Sequence, residues 1–102
     1  MLILPIKKKW FDMILSGEKK EEYRDLKPYY DKRFSKYFNC DDYSGYFFIN
    51  YHSKKPIIFR NGYFINSPQI KCLCSLDVGY GKKEWGAEEG KVYYILKILE
   101  KE

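Results

Sequence analysis

The sequence predicts an α+β domain in which two short helices precede a partly closed β-barrel of five or six strands. In two early segments, apolar residues recur every three or four positions, as on a helix buried along one face. Later apolar residues alternate with polar ones and are separated by Gly, Asn and Pro, the pattern of short strands joined by turns. Closing such strands into a barrel buries their apolar faces and protects their edges. The chain of 102 residues is long enough for one modest core, so residues 1–102 are predicted to form a single domain.

The first part of the chain contains both predicted helices. Residues 1–6 predict a short apolar strand that ends near Pro5, because proline suits a strand end. Residues 7–16 predict a helix, because aromatic and aliphatic residues are paired four positions apart. Residues 20–25 predict a strand, and Pro28 suits the first position of a second helix. Four aromatic residues give this second helix an apolar stripe: Tyr30, Phe34, Tyr37 and Phe38.

The rest of the chain is predicted to be mostly sheet. Its predicted elements are a turn-like segment at 39–44, strands at 46–51, 56–60, 68–78 and 92–99, a turn at 79–81 and a loop at 85–87. The longest strand has one face that is apolar at a period of two: Ile70, Cys72, Cys74, Leu76 and Val78. Asn61-Gly62 signals a tight hairpin turn, which would bring Arg60 close to Tyr63.

The charge of the chain favours an anionic partner. The net charge is +5, and residues 1–60 contain 13 Lys or Arg against 8 Asp or Glu, whereas residues 61–102 contain six of each. Clustered lysine and arginine side chains neutralise phosphates and release counterions. The charge therefore favours RNA or a nucleotide as the partner, although many basic domains of this size bind neither.

The composition argues against several other classes of protein. No apolar run approaches the roughly 20 residues of a membrane helix, and no signal-peptide pattern is present, so a cytoplasmic protein without a membrane partner is expected. The three cysteines, Cys40, Cys72 and Cys74, are odd in number and argue against a disulfide framework. With His52 as the only histidine, no metal site and no cofactor are expected.

A group of charged residues follows the first predicted helix. Gly17 lies where this helix is predicted to end, and glycine readily adopts the left-handed conformation that closes a last turn. Glu22 and Arg24 are two positions apart and share one face of the next strand. Lys19 joins that face only if the turn rotates it inward. The group forms either the wall of a polar binding pocket or the solvated edge of the sheet.

The spacing Gly17-x-Lys19-x-x-Glu22-x-Arg24 matches the G-x-K-x-x-E-x-R signature of the ASCH domain, a branch of the PUA-like superfamily. The surrounding sequence also resembles small bacterial and phage ASCH proteins. The similar segments outside the motif are residues 2–6, 10–11, 27–30, 59–63, 85–88 and 91–98. The resemblance extends from residue 1 to about residue 99, with a poor match at about 39–55.

The resemblance implies a PUA-like barrel with a cleft lined by the motif residues. Gly17 would shape the turn, Lys19 would act as a point charge, and Arg24 would make a bidentate contact with phosphate or a base edge. Glu22 would accept a base amino group or hold its two neighbours in place. Alternatively, Glu22 and Arg24 form a structural ion pair that closes the barrel, and Lys19 alone faces the ligand.

The first function implied by the resemblance is RNA or nucleotide binding. RNA recognition favours unpaired bases stacked on aromatic rings. The predicted rings are Tyr23, Tyr29 and Tyr63, with Arg60 as a further contact. Tyr29 is preferred within the second helix, because it lies outside the apolar stripe that begins at Tyr30.

The alternative function is that of a small hydrolase, either a single-strand ribonuclease or an amidohydrolase acting on acetylated cytidine. Lys19 and Glu22 would then form an acid–base pair. The acetylcytidine enzymes carry a threonine at the position held here by Glu22, so a hydroxyl expected near the scissile amide is missing. A third hypothesis is a protein-interaction domain with an exposed aromatic surface.

Overall fold

The computed structural model describes residues 1–38 and 54–102, together with the backbone of two short strands between them. In chain order the elements are β1 (Leu2–Pro5), α1 (Lys8–Ser16), β2 (Glu21–Asp25), α2 (Pro28–Tyr37), β3 (Asp41–Tyr43), β4 (Tyr46–Phe48), β5 (Lys55–Arg60), β6 (Gln69–Tyr80) and β7 (Val92–Lys101), with a short 3-10 turn at Lys83–Trp85. The predicted α+β class is confirmed. Neither described helix is long and apolar enough to cross a membrane.

Five strands form one mixed sheet that curves into a half-barrel, in the order β1-β5-β6-β7-β2. β1 runs parallel to β5, and the other neighbouring strands are antiparallel. β1 and β2 are therefore the two edges of this sheet. The guanidinium of Arg24 on β2 donates a hydrogen bond of 2.9 Å to the carbonyl of Pro5 on β1, so the two edges are joined at this point. β3 and β4 pair separately with each other.

Both helices pack with the sheet in one hydrophobic cluster. α1 buries Phe11 and Ile14, and α2 buries Phe34, against apolar side chains of β1, β5, β6 and β7. Each such side chain contributes about 1.5–3 kcal/mol when it is fully buried. Cys72 and Cys74 belong to the same cluster. Burial raises the pKa of both thiols, that of Cys72 to about 11, so they remain neutral and pack as small apolar groups.

The predicted tight turn at Asn61-Gly62 is wrong. The N–H of Asn61 donates to the carbonyl of Pro68 at 2.8 Å, so the chain makes a longer loop between them. Arg60 consequently lies opposite Gln69 in the sheet and not opposite Tyr63. Asn61-Gly62 forms no hairpin turn, because the pairing of β5 with β6 ends at Arg60 and Gln69 and residues 61–68 form the loop between the two strands.

Other element boundaries also differ from the sequence prediction. β3 lies within the segment 39–44 that was expected to be a turn, because its backbone pairs with β4. Residues 49–51 of the predicted strand 46–51 lie outside the described part of the chain. β6 continues through the turn predicted at 79–81 as far as Tyr80, because β7 pairs with it up to that residue. Val78 is exposed and lies beyond the core cluster. Trp85 ends the 3-10 turn where a loop was predicted to begin.

Candidate functional site

The turn that follows α1 places Lys19 inside the protein. Gly17 has a φ of 89°, in the left-handed region as predicted, and its N–H donates to the carbonyl of Ile14 at 3.1 Å. The N–H of Lys19 donates to the carbonyl of Met13 at 2.9 Å. These two bonds satisfy carbonyls of the last helical turn and reverse the chain. The side chain of Lys19 is thereby fully buried.

Glu22 lies between two cations. Its Oε1 is 3.3 Å from the Nζ of Lys19, and its Oε2 accepts a hydrogen bond of 2.8 Å from the Nη2 of Arg24. The side chains of Lys19, Glu22 and Arg24 are 0, 9 and 14% exposed. Charges attract strongly in such a weakly polar environment. The structure thus brings the three predicted motif side chains together, and we call them the ion triad.

The ammonium group of Lys19 has further partners besides Glu22. It donates a hydrogen bond to the carbonyl of Trp85. It also lies over two aromatic rings, 5.0 Å from the centre of Trp10 and 4.9 Å from that of Tyr23, in cation–π contact. Burial lowers the pKa of Lys19, and the attraction of Glu22 opposes this shift. Lys19 therefore ties α1, β2 and the 3-10 turn to one another.

A cavity of about 610 Å³ opens beside the ion triad. This volume is typical of pockets that hold a small ligand. Glu22 and Arg24 line it, but Lys19 does not, because it is fully buried behind Glu22. Five aromatic residues also line the cavity: Trp10, Tyr23, Tyr30, Tyr63 and Trp85. The remaining wall comes from the end of β1, the start of α1 and the loop after β5.

Arg24 keeps hydrogen-bond donors that none of the described residues accepts from. Its Nη2 donates to Glu22 and to the carbonyl of Pro5. Its Nε is buried and has no hydrogen-bond partner in the described part of the chain. A buried donor without a partner costs about 1–3 kcal/mol. The guanidinium of Arg24 is 14% exposed and lines the cavity, where a ligand can meet it.

Asn61 contributes an acceptor to the lining of the cavity. Its Nδ2 donates to the carbonyl of Ile6 at 3.1 Å, which fixes the orientation of the amide and leaves Oδ1 unused among the described residues. Asn61 lines the cavity, as does Gly86. Gly86 has a φ of 104°, and a Cβ at this position would lie only 3.0 Å from the ring of Trp10. A glycine is thus required where the 3-10 turn meets the ring.

Some of the predicted site residues lie elsewhere. Glu22, Arg24, Tyr23 and Tyr63 line the cavity, but Gly17, Lys19, Tyr29 and Arg60 do not. Tyr29 is exposed on α2, where its hydroxyl accepts a hydrogen bond from Arg33. The Nε of Arg60 donates to Gln69 at 3.0 Å. Of the alternative interpretation, the Glu22–Arg24 ion pair is present and Arg24 joins the two edges of the sheet, but it is these two residues and not Lys19 that line the cavity.

Nine cavity residues are absent from the predicted site, among them Trp10, Tyr30, Asn61 and Trp85. Trp10 and Trp85 are the only two tryptophans of the chain, and both occur in segments that resemble ASCH proteins. Their rarity was a usable signal. The apolar stripe of the second helix predicts a core position for Tyr30, and the Asn61-Gly62 pair indicates only a turn.

Within the described residues, no three His, Cys, Asp or Glu side chains are grouped so that they could hold a metal ion. Comparisons of the chain with protein families, with curated proteins and with solved structures found no match. What the cavity binds is therefore inferred from its shape and its polar groups.

Proposed function

We propose that this chain is an RNA- or nucleotide-binding domain of the ASCH type with a PUA-like barrel, and that a base of the ligand enters the cavity. One observation carries the proposal. A single cavity combines five aromatic residues with an arginine–glutamate pair that has unused hydrogen-bonding capacity. Aromatic rings bind the faces of a base, and paired donors and acceptors bind its edge.

The polar groups of the cavity match the edge of a nucleobase better than they match a phosphate. Glu22 would repel a phosphate placed against Arg24, since the carboxylate and the guanidinium are only 2.8 Å apart. The edge of a base instead carries an acceptor next to a donor. The acceptor can bind Arg24, and the donor can bind Glu22, because the carboxylate of Glu22 retains free lone pairs. Phosphates are better placed at the rim of the cavity, where Lys7 is exposed.

The geometry supports binding better than the alternative hydrolase. Lys19 is fully buried, and its ammonium already donates to Glu22 and to the carbonyl of Trp85. The hydroxyl of Tyr23 is also engaged, since it donates to Glu21 and accepts from the N–H of Lys82, both at 2.8 Å. Burial raises the pKa of Tyr23, which keeps it protonated. Neither group is free to take a proton from a substrate in the cavity.

The two tryptophans provide a direct test, because both line the cavity. Titration with each of the four nucleoside monophosphates and with short single-stranded RNA should quench their fluorescence as a base stacks in the cavity. Arg24→Lys should weaken binding about tenfold or more, because lysine keeps the charge but cannot make the planar contact. Arg33→Lys is the matched control, since Arg33 lies on α2 outside the cavity. Its affinity should equal that of the wild type.

Two results would contradict the proposal. The first is the absence of any binding, by fluorescence and by calorimetry, to all four monophosphates and to RNA. The second is RNA cleavage or deacetylation of acetylcytidine that disappears in a folded Lys19→Met variant, which would support the hydrolase instead.

A further inference from the structure

The loop between β5 and β6 carries three consecutive exposed apolar side chains. Tyr63, Phe64 and Ile65 are 85, 75 and 89% exposed, more than any other large apolar side chain in the described part of the chain. We call these three residues the loop tip. A contiguous exposed apolar group of this kind marks an interaction surface.

The loop tip is held outward by hydrogen bonds. The N–H of Ser67 donates to the carbonyl of Phe64 at 3.0 Å, and the N–H of Phe64 donates back to the Oγ of Ser67 at 3.3 Å. Gly62 has a φ of 128°, and a Cβ there would lie 2.6 Å from the same Oγ. The backbone thus turns tightly at the tip, and its apolar side chains are presented to the outside.

The loop tip adjoins both the cavity and a group of lysines. Tyr63 belongs to the tip and also lines the cavity. Asn61, at the base of the loop, donates to the carbonyl of Ile6, directly before the exposed residues Lys7, Lys8 and Lys9. A ligand that leaves the cavity past Tyr63 would therefore meet apolar side chains and ammonium groups together.

This side of the sheet is rich in positive charge, and only Lys8 and Lys71 among its cations are seen paired with carboxylates, Asp12 and Glu102, in the described part of the chain. Residues 1–11 and 54–76, which include β1, β5, the loop tip and the first part of β6, contain seven Lys or Arg and no Asp or Glu. The charge complements a polyanion, and the neighbouring rings of Tyr63 and Phe64 complement the faces of bases.

We infer that the ligand is a single-stranded nucleic acid that continues beyond the cavity, with one base inside and the adjoining bases stacked on the loop tip. This inference rests on the proposed function of the cavity and specifies its ligand as a polymer. The phosphates follow Lys7–Lys9. A lipid surface would also match an apolar tip beside lysines, but it would leave the cavity unused, whereas Tyr63 belongs to both surfaces.

The test compares a nucleoside monophosphate with a single-stranded RNA oligomer of about six nucleotides, within the range of site sizes for such modules. The Phe64→Ser/Ile65→Ser double variant removes two side chains of the tip and leaves every cavity residue in place. The matched control is Leu15→Ser/Leu99→Ser, which removes two apolar side chains that are also exposed but lie outside the cavity and the tip. Monophosphate binding is followed by tryptophan quenching and oligomer binding by fluorescence anisotropy.

We expect wild-type protein to bind the oligomer at least about tenfold more tightly than the monophosphate, since stacking adds about 1–3 kcal/mol per base. The tip variant should lose most of this difference and keep the monophosphate affinity, and the control should keep both. Equal affinity for the two ligands, or an oligomer affinity that the tip variant does not change, would overturn the inference while the proposed function stands.

Binding to vesicles that contain phosphatidylserine distinguishes a lipid surface from a nucleic acid as the partner of the loop tip. Sedimentation with vesicles that is lost only in the tip variant, together with unchanged oligomer binding, would also overturn the inference. If the wild type binds neither monophosphate nor oligomer, the proposed function itself fails, and the inference fails with it.

Discussion

Replacing Glu22 with glutamine should strongly destabilise the fold. The substitution keeps the shape of the side chain but removes the only negative charge of the ion triad, leaving Lys19 and Arg24 as buried like charges. Glu22 lies 3.3 Å from one cation and 2.8 Å from the other. At an effective dielectric constant of about 20, these two contacts are worth about 5 and about 6 kcal/mol of attraction. Much of that attraction offsets the cost of removing three charges from water.

The free energy of unfolding should fall by about 3–5 kcal/mol, which is the known cost of removing one partner of a buried ion pair. Domains of this size have a total stability of about 5–15 kcal/mol. Since the midpoint of thermal unfolding falls by about 4–8 °C per kcal/mol, it should fall by at least about 12 °C. Unfolding should be followed by far-UV circular dichroism, because the tryptophans report on the site itself.

Asp12→Asn is the matched control. It removes a carboxylate from the Lys8–Asp12 pair, which has a contact of 2.7 Å but is 76 and 53% exposed. Surface pairs contribute at most about 1 kcal/mol. If Glu22→Gln lowers the stability no more than Asp12→Asn does, the ion triad is not a buried electrostatic unit and the reasoning is refuted.

The same variant should change the response to alkaline pH. The pKa of Lys19 is lower in the folded protein than its ordinary value of 10.5, so the unfolded chain binds this proton more tightly. Stability attributable to Lys19 therefore rises with pH between the folded pKa and 10.5. Because Glu22 opposes the lowering, Glu22→Gln should move the start of this rise to lower pH. A variant whose alkaline profile parallels that of the wild type would contradict this assignment.

Two further predictions concern packing. Gly81→Ala should lower the free energy of unfolding by about 1–3 kcal/mol, because the added methyl would lie 2.7 Å from two ring atoms of Tyr23. Thermal unfolding measures this loss, and an unchanged midpoint would contradict the prediction. Cys72 and Cys74 should resist thiol reagents at neutral pH, because both are buried and their pKa values are raised, that of Cys72 to about 11. In a Cys40→Ser variant, labelling that occurs only after addition of denaturant would agree, whereas rapid labelling of native protein would not.

Much of the site could be predicted from neighbouring residues. The left-handed turn at Gly17 depends on conformational preference, and the common face of Glu22 and Arg24 depends on strand geometry. The burial of Lys19 could not be predicted, because its ammonium binds a backbone carbonyl 66 positions later. A carbonyl has no signature in the sequence, and only the folded chain brings it to the motif.

The apolar periodicity of α2 likewise predicted which face of the helix is buried, but not how far along the helix the burial extends. The stripe on α2 placed Phe34 and Phe38 in the core, and both are buried as predicted. Tyr30 begins the same stripe, yet it lies at the margin of the core and lines the cavity. Where a core ends along a helix depends on the length and curvature of the sheet beneath it, which no local pattern specifies.

The position of β7 in the sheet has a consequence for biosynthesis. β2 carries Glu22 and Arg24, and its partner in the sheet is β7, whose residues 93–97 lie opposite 21–25. The ribosome therefore synthesises β2, which carries Glu22 and Arg24, long before β7, the strand that pairs with it. In a product released before β7 has emerged, β2 lacks the strand with which it pairs. The wall of the cavity that carries Glu22 and Arg24 is therefore complete only after β7 has been translated.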